Sequence, residues 1–254
     1  MIFEVCIDSV EGAKAARLGG AHRVELCASL VEGGITPSLG MIQTVRAAVD
    51  LDVNVILRPR AGDFLYTAME FDVMCKDLEA IKASGVNGVV LGLLLPDGTI
   101  DTMRTRQLIE LARPLSVTFH RAFDLCRDPQ TALDDLITLG VDRLLTSGQQ
   151  ANALLGANLI AALVQKAQGR TIVMPGGGIN SQTLPRLAAI TRAQEFHFGG
   201  RTTVPSRMQF RRPDLWMGKP YQPDEYTLQV TAVSLVREVI ASFAQNEGNE
   251  TNSR

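Results

Sequence analysis

The sequence predicts an α/β chain folded as a single (β/α)8 barrel with a long irregular segment after the eighth strand, and three observations predict it. A short apolar run, a turn rich in glycine, proline or aspartate, and a longer stretch at helical spacing recur eight times, the pattern of βαβ units. The 254 residues match the usual size of one such barrel. No G-x-G-x-x-G follows the first strand, so an open dinucleotide-binding sheet has no support.

In chain order the expected strands are residues 2–7, 23–27, 54–58, 88–92, 115–120, 143–147, 171–174 and 195–198, with a helix after each. Several helices carry a glycine stop that accepts the left-handed conformation, as in Leu18-Gly19-Gly20, Ala83-Ser84-Gly85 and Leu139-Gly140. Residues 199–226 break the rhythm, with prolines, glycines and the basic side chains Arg201, Arg207, Arg211, Arg212 and Lys219. Structureless segments of that length are uncommon unless functional; a cover for the barrel, a subunit interface and a lid are the readings it allows. The barrel domain is expected over residues 1–245, followed by a disordered polar tail at 246–254.

Composition narrows the function classes. Hydrophobic residues at 46% and charged residues at 20% are those of a globular chain. A net charge of −2 offers no field for a phosphate backbone, so nucleic acid is not an expected partner. The start, Phe3-Glu4-Val5-Cys6, has no basic and apolar leader pattern, and no apolar stretch reaches membrane-span length. The four cysteines, Cys6, Cys27, Cys75 and Cys126, form no C-x-x-C pair. A cytoplasmic chain with reduced thiols is the expectation.

Side chains alternate across a strand, and in a barrel the apolar face meets the outer helices. Phe3, Val5 and Ile7 then face outward while Glu4, Cys6 and Asp8 face the lumen; Val24 and Leu26 face outward while Arg23, Glu25 and Cys27 face inward. The same parity turns Arg58, Arg60, Thr118, His120 and His197 inward. Strand ends and the loops after them form the working face of such barrels, which adds Asp63, Arg121, Asp124, Thr146 and Ser147. A core that served stability alone would favour Val, Ile and Leu. The competing reading is a set of internal ion pairs, such as Glu4 or Glu25 with Arg58, without chemistry.

Cys6 and Cys27 sit at equivalent ends of neighbouring strands, whose axes are about 4.8 Å apart. Three readings remain open on spacing alone: a site for soft Cu(I), an oxidisable thiol pair, and two small buried hydrophobes. Gly176, Gly177 and Gly178 after the seventh strand, with Gly199 and Gly200 after the eighth and Arg201 beside them, fall where many barrels hold a phosphate through backbone amides, although tight turns need glycine in any case. Glu4, Glu25, His120 and His197 suit acid and base work, or orientation by hydrogen bonds, on a small anionic ligand held by Arg58 and Arg60. Schiff-base chemistry is disfavoured because no lysine falls on a strand, and a zinc hydrolase because three histidines show no H-x-H or H-E-x-x-H spacing. No organic cofactor is expected.

The runs Arg23-Val-Glu-Leu-Cys27, Glu32-Gly-Gly-Ile-Thr-Pro-Ser38, Leu57-Arg-Pro-Arg-Ala-Gly-Asp-Phe64, Val117-Thr-Phe-His-Arg-Ala-Phe-Asp124, Arg143-Leu-Leu-Thr-Ser-Gly148, Met174-Pro-Gly-Gly-Gly178 and Glu195-Phe-His197 resemble the CutC copper homeostasis family from the first strand to the eighth. The resemblance implies a (β/α)8 barrel, usually a homo-oligomer, with a cytoplasmic part in copper homeostasis, and it marks Cys6 and Cys27 as candidate Cu(I) ligands. Two departures stand out: Ala61 where that family has glycine, and Phe198-Gly199-Gly200 where small polar residues are common. The ring of Glu, Arg and His is richer than one copper ion requires, which keeps open an enzyme acting on a small anionic, phosphorylated or other, metabolite.

Overall fold

A computed structural model describes residues 1–212 and 226–251. Eight parallel strands alternate with helices: β1 (Ile2–Ile7), α1 (Val10–Gly19), β2 (Arg23–Leu26), α2 (Leu39–Ala48), β3 (Asp52–Ile56), α3 (Ala68–Ala83), β4 (Gly88–Leu91), α4 (Thr102–Ala112), β5 (Ser116–Phe119), α5 (Pro129–Leu139), β6 (Arg143–Thr146), α6 (Ala157–Ala167), β7 (Ile172–Pro175), α7 (Leu184–Thr191) and β8 (Glu195–Phe198). After these come β9 (Arg201–Pro205), β10 (Thr227–Thr231) and α8 (Val233–Thr251). The strands follow the order β7-β6-β5-β4-β3-β2-β1-β8. A parallel bridge between Gly176 and His197 brings β7 to β8 and nearly closes the ring, so the expected TIM barrel is the fold.

Local chemistry fixes the helix ends. Ser9 caps α1 by accepting the Gly12 N–H, Thr67 and Glu70 form a reciprocal capping box on α3, and Asp128 caps α5 ahead of Pro129. The helices stop where expected, with Gly20 and Gly140 left-handed at φ 96° and 74°. Outward-facing Phe3, Val5, Ile7, Val24, Leu26, Val53, Val55 and Leu57 are buried in the core between the strands and the helical shell. No helix among the described residues is long and apolar enough to cross a membrane.

Strands β2, β4, β5, β6 and β7 differ from expectation by one residue at one end or both, and larger differences occur in three places. β3 runs from Asp52 and ends before Arg58, because Thr36 Oγ1 accepts the Arg58 N–H at 2.9 Å and draws the chain out of the ladder. Part of the expected irregular segment is strand: β9 pairs antiparallel with β10, and the short β-branched run Thr202-Thr203-Val204 lies opposite Leu228-Gln229-Val230. Residues 213–225, Lys219 among them, lie outside the described residues. The last helix continues to Thr251, past Asn246 where the polar tail was expected to begin.

The floor of the lumen is an ion network. Arg23 Nε donates to Glu4 at 2.5 Å and its Nη2 to Glu195 at 2.6 Å, while Arg143 Nε reaches Glu195 at 2.5 Å. All four side chains are buried. Burying such a set is roughly neutral against an apolar core, but removing one partner strands the others. Arg23→Met is therefore expected to lower the unfolding free energy by about 3–5 kcal/mol in urea denaturation. A loss below about 1 kcal/mol, the size of an exposed pair, would show that Glu4 and Glu195 are satisfied without Arg23.

Candidate functional site

Glu4 carries the floor network up to the working end. Its carboxylate accepts from Arg23, from Asn54 Nδ2 at 3.2 Å and shares a 2.8 Å contact with His197 Nδ1. Burial pushes this carboxyl up, but the Arg23 charge and the His197 hydrogen bond more than offset it and hold it at about 2. Glu4 is thus a permanent anion, and His197 Nδ1–H is the donor to it. With Nδ1 engaged there, Nε2 of His197 faces Cys6 and Glu25, the Glu25 carboxylate lying 3.7 Å away.

One layer higher, Cys6 Sγ and Cys27 Sγ are 3.8 Å apart, and both cysteines are free. Their sulfurs and a Glu25 oxygen all lie within 4.8 Å of one another. The Cys27 hydrogen bond draws the Cys6 thiol down to about 5 against the effect of burial, with His197 adding to the pull. Cys27 is correspondingly pushed well up by its bond to Cys6 and by burial. The two thiols are thus driven in opposite directions, Cys6 toward the thiolate and Cys27 toward the thiol. Burial disfavours a charged His197, yet its bonds to Cys6 and Glu4 prevail and raise it well above an ordinary histidine. Burial raises Glu25, and the neighbouring Cys6 charge raises it further. Gly34, at φ 91°, closes over the pair: a Cβ there would lie 3.1 Å from Cys27 Sγ.

Cys6, Glu25 and His197 line one wall of a cavity of about 370 Å³ at the C-terminal mouth of the strands, and Cys27 is buried behind Cys6. Arg58 and His120 line it as well, with Phe64 beside them: Arg58 Cζ is 5.0 Å from the Phe64 ring centre, and the Phe64 and His120 rings are 4.9 Å apart. Arg58 does not pair with Glu4 or Glu25. Its guanidinium donates to the carbonyls of Glu32, Gly34 and Gly62 at 2.7–2.9 Å: the Glu32–Ser38 loop presents the first two, and the loop after β3 the third. The two glycine-bearing runs around residues 33 and 62 are therefore one clamp on Arg58. His120 Nδ1 accepts the Ala122 N–H at 3.2 Å, and burial together with the Arg58 charge pushes the ring down to about 3.

Other expected site residues hold loops. Arg60 bonds Glu70, Asp63 and the Leu65 carbonyl and lies outside the cavity. Asp124 accepts from Thr146 Oγ1, the Ser147 N–H and hydroxyl, and the Gln149 N–H, while Arg121 bridges Asp124 and Ser147 at 2.7 Å. Of this knot only Arg121 reaches the cavity wall. Gly177, Gly178 and Gly199 line the cavity, but Gly176 packs against Leu145 and Gly200 against Val236, and Arg201 is tied to Asp8 at 2.9 Å. Ala61 has no positive φ, unlike Gly62 at 89°, so its methyl group is unstrained. Asn54, Arg143 and Glu195 joined the lumen without being singled out in the sequence. Strand parity was the available signal, since Glu195 shares the face of His197 and Asn54 that of Arg58.

The CutC family profile matches residues 1–202. The chain belongs to the CutC family. A human relative, named copper homeostasis protein cutC homolog, is 48% identical over 245 residues, spanning 96% of this chain and 89% of the relative. A CutC family protein from Parabacteroides distasonis is 51% identical over 226 residues, 89% of this chain and 93% of the relative. A CutC crystal structure from Streptococcus agalactiae superposes with a TM-score of 0.75 at 30% identity over 78% of this chain and 98% of that one. Phosphoribosylanthranilate isomerase of Thermotoga maritima, with a TM-score of 0.57 and 11% identity over 96% of this chain and 100% of that one, shares the barrel alone.

The buried neutral His120 of this CutC chain gives the site a pH signature. An unfolded histidine titrates near 6.5, so between that value and about 3 the unfolded chain binds more protons here than the folded chain, and stability falls as pH falls. Between pH 6.5 and about 5, before carboxylates titrate, the wild type is expected to lose more stability than His120→Phe in paired denaturant titrations. Parallel stability curves for the two would contradict a neutral His120.

Proposed function

We propose that this CutC chain serves copper homeostasis in the cytoplasm by taking up one Cu(I) between Cys6 and Cys27. The observation that carries the reading is the 3.8 Å approach of two reduced sulfurs, one of which, that of Cys6, belongs to a residue lining the cavity. That separation is nearly twice the roughly 2.05 Å of a disulfide and suits two thiolates that share a metal. Soft thiolates favour Cu(I) over hard ions. The third donor within reach is the Glu25 carboxylate, a harder ligand than thiolate and a weaker match for Cu(I). Glu4 and His197 act one step behind, since the Glu4 carboxylate fixes the ring that faces Cys6.

Titration of the reduced protein with Cu(I) against a competing chelator tests the proposal. The wild type is expected to take up one equivalent. Cys6→Ser and Cys27→Ser should each weaken binding by more than about 100-fold, beyond the 10–100-fold typical of outer-shell changes. Weak uptake, or uptake indifferent to either serine, would overturn it.

A further inference from the structure

A single metal ion occupies a small part of a 370 Å³ cavity, and the wall away from the cysteines has unmet requirements of its own. Arg58 is only 5% exposed. Among the described residues no carboxylate pairs with it; carbonyl oxygens take Nη1 and Nη2, and Nε has no hydrogen-bond partner although it is buried. Carbonyl dipoles satisfy hydrogen bonds but carry no net countercharge, and a buried cation without one is costly. His120 is 4% exposed and in the same condition. Its Nδ1 accepts from Ala122, which leaves the proton on Nε2, and that atom is also buried without a partner. Two orphaned donors, one of them charged, therefore flank Phe64 on one cavity wall. Such groups in a native fold call for a ligand or ion.

We infer that the cavity binds a small organic monocarboxylate, its carboxylate received by Arg58 Nε and His120 Nε2 and its body lying against Leu30, Ile56 and Phe64. One uncompensated positive charge and two donors match one negative charge. A phosphate dianion would need more of both, and the two cations beside the glycine loops are committed: Arg201 to Asp8, and Arg121, which lies against Gly177, to Asp124 and Ser147. The inference is independent of the copper reading, because the donors belong to a different wall from the sulfurs.

The test is calorimetric titration of the metal-free, reduced, full-length protein with acetate, pyruvate and benzoate, and separately with inorganic phosphate. Chloride holds the ionic strength constant, and ¹⁵N resonances of the histidine rings are followed in parallel. At least one carboxylate is expected to saturate at one per chain and to move the His120 Nε2 resonance. His120→Phe, which removes the donor and keeps the ring volume, should weaken that ligand by about tenfold or more. His120→Gln, which keeps a donor, should recover part of the loss, and Arg58→Gln, checked for native circular dichroism, should abolish binding. Binding of none of the three carboxylates, binding of phosphate in their place, or affinity unchanged in His120→Phe would each overturn the inference. Since copper is absent throughout, the outcome leaves the Cu(I) titration to be judged separately.

Discussion

The buried carboxylate of Glu4 is the point on which the rest of the lumen depends. It sits on β1 and receives Arg23 from β2, Asn54 from β3 and His197 from β8. One side chain thus joins four strands across the seam between the first strand and the last. Its negative charge is stable because two cationic partners outweigh the desolvation that burial imposes. The same charge orients His197, and His197 in turn faces Cys6. Folding and site formation are therefore one event at this position. A barrel assembled without Glu4 in place would leave Arg23 with a single carboxylate and His197 without its Nδ1 partner.

Above this floor the two walls of the cavity have opposite characters. The Cys6 and Glu25 wall, with Cys27 directly behind it, is rich in electron-pair donors. The Arg58 and His120 wall offers hydrogens and one positive charge. A network built only for rigidity would have paired Arg58 with Glu25, and strand parity allowed that. Instead, the glycine loop after β2 supplies two carbonyl oxygens to Arg58 and Gly62 a third, which satisfies three of its five N–H groups while leaving its charge unneutralised. Gly34 makes this geometry possible at the same place where it closes over Cys27. The two walls are consequently held by one turn.

Much of this was legible in the sequence because period-two alternation in eight short strands assigns each side chain to the lumen or the shell. Glu4, Cys6, Glu25, Cys27, Arg58, His120 and His197 come together as that alternation requires, and six of them line the cavity or hold the metal-competent cluster. What alternation could not supply is partner choice beyond the strand ends. Arg60, Asp63, Asp124 and Ser147 leave the strands for loops, where hydrogen bonds to backbone groups decide direction, and they brace turns. The β9–β10 hairpin escaped notice for a related reason. Its strands pair across an intervening stretch of more than twenty residues, and each alone is too short and polar to announce itself among prolines and arginines.

The central claim is that Cys6 and Cys27 bind one copper ion together, and the most direct measurement is X-ray absorption at the copper edge on protein loaded with one equivalent of Cu(I). The geometry of the pair predicts two sulfur scatterers in the first coordination sphere and an edge position characteristic of Cu(I). A first sphere of nitrogen and oxygen alone would contradict the account and place copper elsewhere on the molecule.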